Sequence, residues 1–249
     1  FISVYKSLRA EQTYVYAKVK VGQGLWWATT QKPDYWFIKS IKRGEKEVDL
    51  IGRPLAEIVN YSYYPIFADD GYPKLEIFIT VKIKTDYDKK NNRHIFKRDV
   101  ISVGNPIEFQ FPSVNITGTV IDFGETEKPI EYVEKTVYLY NFNAYQKDFP
   151  YIYENIKVGD QYYNGREIIF KVTEKELLKS VRLPSDIWGR IYEQENDTIQ
   201  HIMVKATIKL IESGNQLIYA EERPIKVGVK APFVTESFSF EDFWIVRIE

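Results

Sequence analysis

Apolar and polar residues alternate along most of this chain. Between Leu75 and Lys84 every odd position is aliphatic and most even positions are polar, and Ile202–Leu210 and Val15–Val21 follow the same rule. A period of two buries one face of a strand and wets the other, as in antiparallel sheets. The helical period is scarce, so the pattern predicts an all-β fold. Further strands are predicted at Ile107–Phe111, Thr119–Phe123, Val137–Phe142, Ile225–Val229 and Phe243–Ile248.

The strand signals and their connecting motifs occur twice in the same order. We interpret them as two tandem copies of a small β-barrel or sandwich-like module with short helical turns, at 13–124 and 133–249. A tail or anchor stump at 1–12 precedes them, and a polar linker separates them. The corresponding signals are Tyr14–Val21, Ile41–Glu45, Leu75–Lys84 and Val103-Gly104 in the first copy, and Val137–Phe142, Ile156–Asp160, Ile202–Leu210 and Val227-Gly228 in the second.

Segments between these signals differ in the two copies. Asn60–Pro73 and Thr173–Asn196 are interpreted as insertions. Thr173–Glu176 fits a capping box and predicts a helix start before Leu177. Single helical turns are predicted at 33–40 and 150–155.

Glycines mark the ends of the short motifs. Gly44 and Gly159 suit either a left-handed residue that ends a helical turn or a tight turn between strands. Both interpretations give these glycines a structural role in the backbone and no role in catalysis or binding. The residues interpreted as structural turns are Gly44, Glu45, Gly104, Gly159, Asp160 and Gly228.

Composition narrows the function classes. The 34 Lys and Arg residues balance 35 Asp and Glu, so no basic surface for nucleic acid is expected. The absence of cysteine excludes disulfides, thiolate nucleophiles and cysteine zinc sites. Asp86–Asn91 alternates oxygen ligands, but it has lysines where a calcium loop needs glycine and glutamate, and a solvated hairpin is expected there. We expect no metal and no cofactor.

The beginning of the chain suggests processing. It starts at Phe1, and its only methionine is Met203. We expect that an N-terminal signal or anchor helix has been removed, or that the start is a chosen boundary. No remaining stretch is apolar over the roughly 18–20 residues that a membrane span requires. Contact with a membrane is therefore expected only through that missing anchor.

Several segments of the first module resemble an uncharacterised bacterial family, a domain of unknown function frequent in candidate-phylum bacteria. Members of that family are single-pass, membrane-anchored proteins with β-rich domains outside the membrane. The resemblance implies an anchored, extracytoplasmic location in the cell envelope, and it supplies no activity and no catalytic residues. The segments that carry it are Gly24–Thr30, Ile41–Glu45, Gly52–Ile58 and Val103–Phe109.

Signals for catalysis are weak. His94 and His201 occupy non-equivalent places in the two copies, and both are expected to face solvent without a catalytic role. No nucleophile elbow occurs. A carboxylate pair for glycoside hydrolysis stays open, because acids distant in sequence can meet in space. We predict that the chain is not an enzyme.

Aromatic residues are the most suggestive cluster, at 16% of the chain. Neighbouring rings in an extended segment point to opposite faces, so one of Trp26 and Trp27 is expected outside the core. Tyr35 and Trp36 complete the candidate binding residues. Three interpretations stay open: packing beneath loops or in the seam between the modules, a protein interface, and a platform for sugar rings.

These observations favour a non-catalytic cell-envelope ectodomain with a structural or protein-binding role. Its partner is expected to be another protein or a second copy of the chain. The alternative is a module that binds cell-wall or surface glycan through exposed aromatic residues. A second alternative is a glycan hydrolase with an unrecognised carboxylate pair.

Overall fold

A computed structural model describes residues 12–22, 33–67, 73–146, 151–182 and 194–249, and strands account for nearly all of its regular structure. This confirms the predicted all-β class. The chain divides into two compact units, unit 1 up to Pro129 and unit 2 from Ile130. The predicted helical turns are also present, as α1 (Tyr35–Ser40) in unit 1 and α2 (Tyr151–Asn155) in unit 2.

Unit 1 is one antiparallel sheet in the order β2-β3-β4-β1-β8-β7. The hairpin of β5 and β6 continues from the end of β4, which confirms the hairpin predicted around Asp86–Arg93. The strands are β1 (Gln12–Val21), β2 (Lys46–Val48), β3 (Pro54–Phe67), β4 (Pro73–Asp88), β5 (Arg93–Phe96), β6 (Asp99–Val100), β7 (Pro106–Gln110) and β8 (Asn115–Gly124).

The core of unit 1 follows directly from the alternation in the sequence. In β4 the odd positions from Leu75 to Ile83 are all fully buried. They pair with buried residues of β1, Val15 with Ile83 and Val19 with Ile79. A slip by one residue would turn both buried faces to water, so the pattern itself fixes the register.

The sheet of unit 1 curls until its two edges meet. Lys97, in the turn between β5 and β6, contacts the carboxylate of Glu47 on β2. The same Nζ donates to the backbone oxygen of Glu108 on β7 at 3.2 Å. One side chain thus spans the first and last strands of the sheet order, as in a nearly closed small barrel.

Unit 2 pairs its strands in the order β10-β11-β12-β13-β14, and β9 lies between β12 and β15. Aromatic rings fill much of its core: Phe170 lies 5.1 Å from Phe233 and 5.4 Å from Phe240, between ring centroids. The strands are β9 (Val133–Gln146), β10 (Gln161–Tyr163), β11 (Ile168–Arg182), β12 (Gln194–Ser213), β13 (Gln216–Tyr219), β14 (Arg223–Ile225) and β15 (Trp244–Ile248).

The helix predicted at Thr173–Glu176 is wrong. These residues lie in β11, where Glu174 pairs with Lys205 and the hydroxyl of Thr173 donates to the oxygen of Lys205 at 2.9 Å. The carboxylate of Glu174 meets Lys205 at 2.9 Å. Side chains that would cap a helix are engaged across two strands instead, because pairing outweighs local preference.

Two other predictions need correction. The segment Asn60–Pro73 is no insertion: as far as Phe67 it belongs to β3, and Pro73 begins β4. Thr173–Asn196 likewise contains the end of β11 and the beginning of β12. The strand expected at Ile225–Val229 ends at Ile225, because a glycine turn follows.

The two units share a pattern of pairing. In unit 1, β1 lies between β4 and β8, and in unit 2, β9 lies between β12 and β15. A helical turn follows β1 and β9 alike. The hairpin of β5 and β6 matches the hairpin of β13 and β14, because the turn residues Lys97-Arg98 and Ala220-Glu221 all have positive φ. Pairs of such residues are typical of tight hairpin turns.

Candidate functional site

The glycines singled out in the sequence all occupy left-handed turns. Gly44, Gly104, Gly159 and Gly228 have φ between +77° and +95°. α1 ends at Ser40 and is capped by Ile41, so Gly44 lies beyond the helix and does not end it. The N–H of Glu45 donates to the oxygen of Lys42 at 3.3 Å and closes a β-turn. A positive φ at the third position of such a turn favours glycine.

Each glycine also starts the pairing of a strand. The N–H of Gly44 donates to the oxygen of Ile58, and the N–H of Ile58 returns to the oxygen of Glu45. The same exchange joins the other three turns to β8, β11 and β15. The pairs are Gly104 with Val120, Gly159 with Val172, and Gly228 with Ile245.

The acids that follow two of these glycines hold a second loop in place. The carboxylate of Glu45 accepts from the N–H of Ser113 at 2.9 Å and from its hydroxyl, which lies in the loop between β7 and β8. The carboxylate of Asp160 accepts from the hydroxyl of Ser237 in unit 2. Both acids therefore brace the fold inside their own unit.

The expectation that both histidines face solvent holds only in part, because both side chains are half-buried. His94 is half-buried, and its Nδ1 lies 3.1 Å from the hydroxyl of Thr85. The Nδ1 of His201 is buried and has no hydrogen-bond partner among the described residues. Its ring lies against Tyr140, at 5.3 Å between centroids. Strand pairing covers part of each side chain, although each residue opens a strand or follows a polar turn in the sequence.

Acids and cations in the cores are arranged in pairs. Lys20 and Glu76 are both buried and meet at 3.4 Å, and Glu47 is buried beside Lys97. Among the residues that the structure describes, no three His, Asp or Glu side chains converge as a metal site would require. No described helix has the length and apolarity of a membrane span.

A groove of about 400 Å³ lies between β6 and β7 in unit 1. Its apolar side is formed by Ile101, Ile107 and Val120, and the exposed carboxylates of Asp99 and Glu108 line it as well. Asp99 and Glu108 are the two acids in this lining. No tryptophan or tyrosine lines it, and the one aromatic residue in its lining, Phe96, is buried.

Of the four aromatic residues proposed as binding residues, the structure describes Tyr35 and Trp36. Trp26 and Trp27 lie outside the described residues. Tyr35 and Trp36 begin α1, and 47% and 66% of their surfaces are exposed. Trp36 is steadied by Phe37, whose ring meets it edge-on at 5.7 Å. Burial of part of its ring raises the pKa of the Tyr35 hydroxyl.

The helix that presents these rings is fixed at its beginning by two contacts with β4 and at its end by Ile41, which is buried in the core of unit 1. The N–H of Leu75 donates to the oxygen of Pro33 at 2.9 Å, just before α1. Asp34 meets Lys74 at 2.8 Å, and this hydrogen bond and charge lower the pKa of the Asp34 carboxyl. Ile38 is buried beneath the helix. Tyr35 and Trp36 are therefore held outward on a rigid support.

Comparison with protein-family models, with curated proteins and with solved structures finds no match to this chain. Its function therefore has to be argued from its own surfaces.

Sequence reasoning missed a second exposed surface, the turn between β2 and β3. Leu50 is fully exposed there and Ile51 is 73% exposed; we call these two residues the apolar tip. The carboxylate of Asp49 accepts from the N–H of Ile51 at 3.0 Å, and from the N–H and Nε of Arg53 at 2.9 and 2.8 Å. Gly52 follows with φ +81°. The available signal was an aliphatic pair between Asp49 and Gly52, two residues typical of turns.

The matching turn in unit 2 has the same construction and a different surface. The side-chain oxygen of Asn164 accepts from the N–H groups of Arg166 and Glu167 at 2.9 and 3.0 Å. Gly165 there has φ +92°. No aliphatic residue lies between Asn164 and Glu167. The turn geometry therefore does not require Leu50 and Ile51, and their exposure needs another reason.

Proposed function

We propose that this chain is a non-catalytic module of a bacterial cell envelope, anchored to the membrane outside the cytoplasm, that binds another protein through the surface around α1. The observation that carries the proposal is the exposure of Trp36 on a helix fixed at both ends. The resemblance of the first module to an anchored bacterial family supports the location.

Exposed tryptophan on a rigid support is a feature of protein interfaces. Tryptophan and tyrosine dominate binding hot spots, where their truncation costs about 2 kcal/mol or more. Ordering flexible side chains opposes association, and a surface already held in place avoids much of that loss. The Asp34–Lys74 pair and the buried Ile38 hold the surface of Tyr35 and Trp36 in this way.

We further propose that the two units arose by tandem duplication and present related surfaces. The shared strand pairing and the four glycine turns support a common origin. Tyr151 begins α2 as Tyr35 begins α1, and more than half of its surface is exposed. Of the two helices, α1 carries a tryptophan and α2 does not, so unit 1 is proposed as the stronger binding surface.

Photo-crosslinking in the native envelope tests this function. The crosslinking amino acid p-benzoylphenylalanine would replace Trp36 in the full-length protein, and a matched variant would carry it at Tyr14, which is 46% exposed on β1. We expect a discrete protein adduct from position 36 that position 14 does not give. Equal labelling at both positions, or none at 36, contradicts the proposal. Mass spectrometry of the adduct distinguishes a second copy of the chain from another protein.

Glycan binding is the second candidate, and the exposed indole of Trp36 favours it, since a flat ring can stack on a sugar. Isothermal titration with envelope polysaccharides would compare the native protein with Trp36→Ala and Trp36→Phe. Binding that survives in Trp36→Phe and is lost in Trp36→Ala would support this function. No binding by the native protein to any of the polysaccharides would end it.

A further inference from the structure

The apolar tip keeps most of its own backbone hydrogen bonds inside the turn. The N–H of Asp49 donates to the oxygen of Arg53, and the N–H of Gly52 donates to the oxygen of Asp49. The N–H groups of Ile51 and Arg53 donate to the Asp49 carboxylate. Four of the five donors from Asp49 to Arg53 are therefore satisfied. A segment built this way can leave water without losing those hydrogen bonds.

The charge of the turn is also neutralised internally. The Asp49 carboxylate meets Arg53 Nε at 2.8 Å. The backbone hydrogen bond from Arg53 and the guanidinium itself lower the pKa of Asp49, so the carboxylate stays ionised and paired. What remains at the outermost point is the pair of aliphatic side chains, Leu50 and Ile51.

Register places cationic residues at the same end of unit 1. Ala56 of β3 pairs with Ile83 of β4, and β4 runs on to Asp88 and its turn to β5. The apolar tip and that turn therefore project from one end of the sheet. Lys89, Lys90 and Arg93 are exposed there and outnumber the neighbouring acids, Asp86 and Asp88. Aliphatic side chains beside exposed cations suit an anionic lipid surface.

The chain also enters unit 1 at this end. Gln12, the first residue of β1, pairs with Asp86 near the end of β4. A membrane anchor ahead of β1, as proposed above, would bring this end of the sheet towards the bilayer. A protein pocket fits the tip less well, since stable interfaces bury about 800 Å² on each partner, far more than two side chains offer. A bilayer needs no matching surface.

We infer that the apolar tip inserts into the boundary between headgroups and acyl chains of an anionic lipid bilayer. Leu50 and Ile51 enter the apolar layer, and the cations at the same end of the sheet lie at the level of the headgroups. The inference rests on the anchored placement proposed above for the orientation of the tip. Two aliphatic residues bind weakly by themselves, so the anchor supplies the local concentration that makes the contact effective.

The lack of cysteine allows a direct test, because a single introduced cysteine can be labelled alone. The fluorophore NBD would be attached to Leu50→Cys, and in a matched variant to Arg166→Cys in the polar turn of unit 2. An N-terminal histidine tag would tether each full chain to vesicles that contain nickel-chelating lipid with phosphatidylcholine alone or with phosphatidylglycerol. Thermal melts would first show that both variants fold as the native chain does.

On vesicles with phosphatidylglycerol, we expect a blue shift of the label at position 50 and protection from iodide quenching, with neither effect at position 166. In the unlabelled chain without a tether, Leu50→Asn with Ile51→Asn should lower the vesicle partition constant by about tenfold or more. A label at position 50 that stays quenched on both vesicles overturns the inference. So does equal protection at both positions.

Two further outcomes would also overturn it. An effect of the same size on neutral and anionic vesicles removes the role of the cations. A photo-crosslink from position 50 to a protein, in place of lipid, would assign the tip to a protein pocket. The tether replaces the natural anchor, and the vesicles hold no other protein. Failure here therefore leaves the crosslinking result at Trp36 untouched, and failure at Trp36 leaves this test valid.

Discussion

Gly118 in β8 is the point where unit 1 has no room for a side chain. It faces Val21 of β1 and Ile107 of β7. A Cβ built on Gly118 would lie 2.5 Å from the backbone oxygen of Lys20 and 2.5 Å from Cγ1 of Val19. The pairing of β1 with β8 shifts register just before this point, between Lys18 and Val19. The change Gly118→Ala therefore forces a methyl group against the backbone of Lys20 and the side chain of Val19 in the middle of the sheet.

The size of the effect follows from what has to move. Val19 is fully buried and paired on its other side with Ile79, so β1 cannot retreat without disturbing the core. Overpacking of this kind costs about 3 kcal/mol, a large part of the roughly 5–15 kcal/mol that stabilises a domain. For a unit of this size the melting temperature should fall by about 10 °C.

A matched control separates crowding from the general cost of replacing glycine. Gly44 has φ +77° and nothing within 4 Å of a built Cβ, so Gly44→Ala meets backbone strain alone. That strain costs about 1–2 kcal/mol. Urea denaturation followed by circular dichroism would give the free energy of unfolding for both variants. The reasoning is refuted if Gly118→Ala loses no more stability than Gly44→Ala.

Two further predictions concern the loops that shape unit 1. The backbone N–H of Arg53 is the main cause of the lowered pKa of Asp49. The Asp49 carboxylate should therefore stabilise its turn fully above the ordinary pKa of 3.8, and this stabilisation should be lost as the pH falls below that value. A carbon-13 NMR titration that gives Asp49 a pKa at or above 3.8 would contradict this. Ser113→Ala removes the hydroxyl donor to the Glu45 carboxylate, keeps the backbone N–H donor, and should cost about 2 kcal/mol in urea denaturation. An unchanged midpoint would show that the hydroxyl contributes nothing to stability.

Strands could be predicted wherever burial enforces a clean period of two. β4 shows it because one face is buried from Leu75 to Ile83, and β12 shows it from Ile202 to Leu210 for the same reason. β3 was missed, because Pro54 and Pro65 and a run of tyrosines obscure the alternation, and proline is a poor indicator of a strand interior. The helix at Thr173–Glu176 was predicted wrongly because a capping motif is local, whereas the pairing of β11 with β12 spans a long stretch of chain.

The candidate site was harder to derive than the strands. The sequence placed Trp36 among candidate binding residues, but its exposure depends on Ile38 and on the Asp34–Lys74 pair, which joins residues 40 positions apart. The brace from Glu45 to Ser113 spans 68 positions and leaves no local pattern. A turn is readable at Asp49–Arg53, but only the fold shows that Leu50 and Ile51 face water there.

The comparison of the two units separates features that the fold requires from features that it tolerates. Glycine occupies the same turns in both units, and Glu45 and Asp160 both brace a serine, so these residues belong to the architecture. Leu50, Ile51 and Trp36 have no counterpart of the same kind in the matching turn or helix of unit 2. Exposed apolar residues add nothing to folding stability and favour aggregation. The exposure of Leu50, Ile51 and Trp36 therefore supports the two proposals that assign these residues to contacts with other molecules.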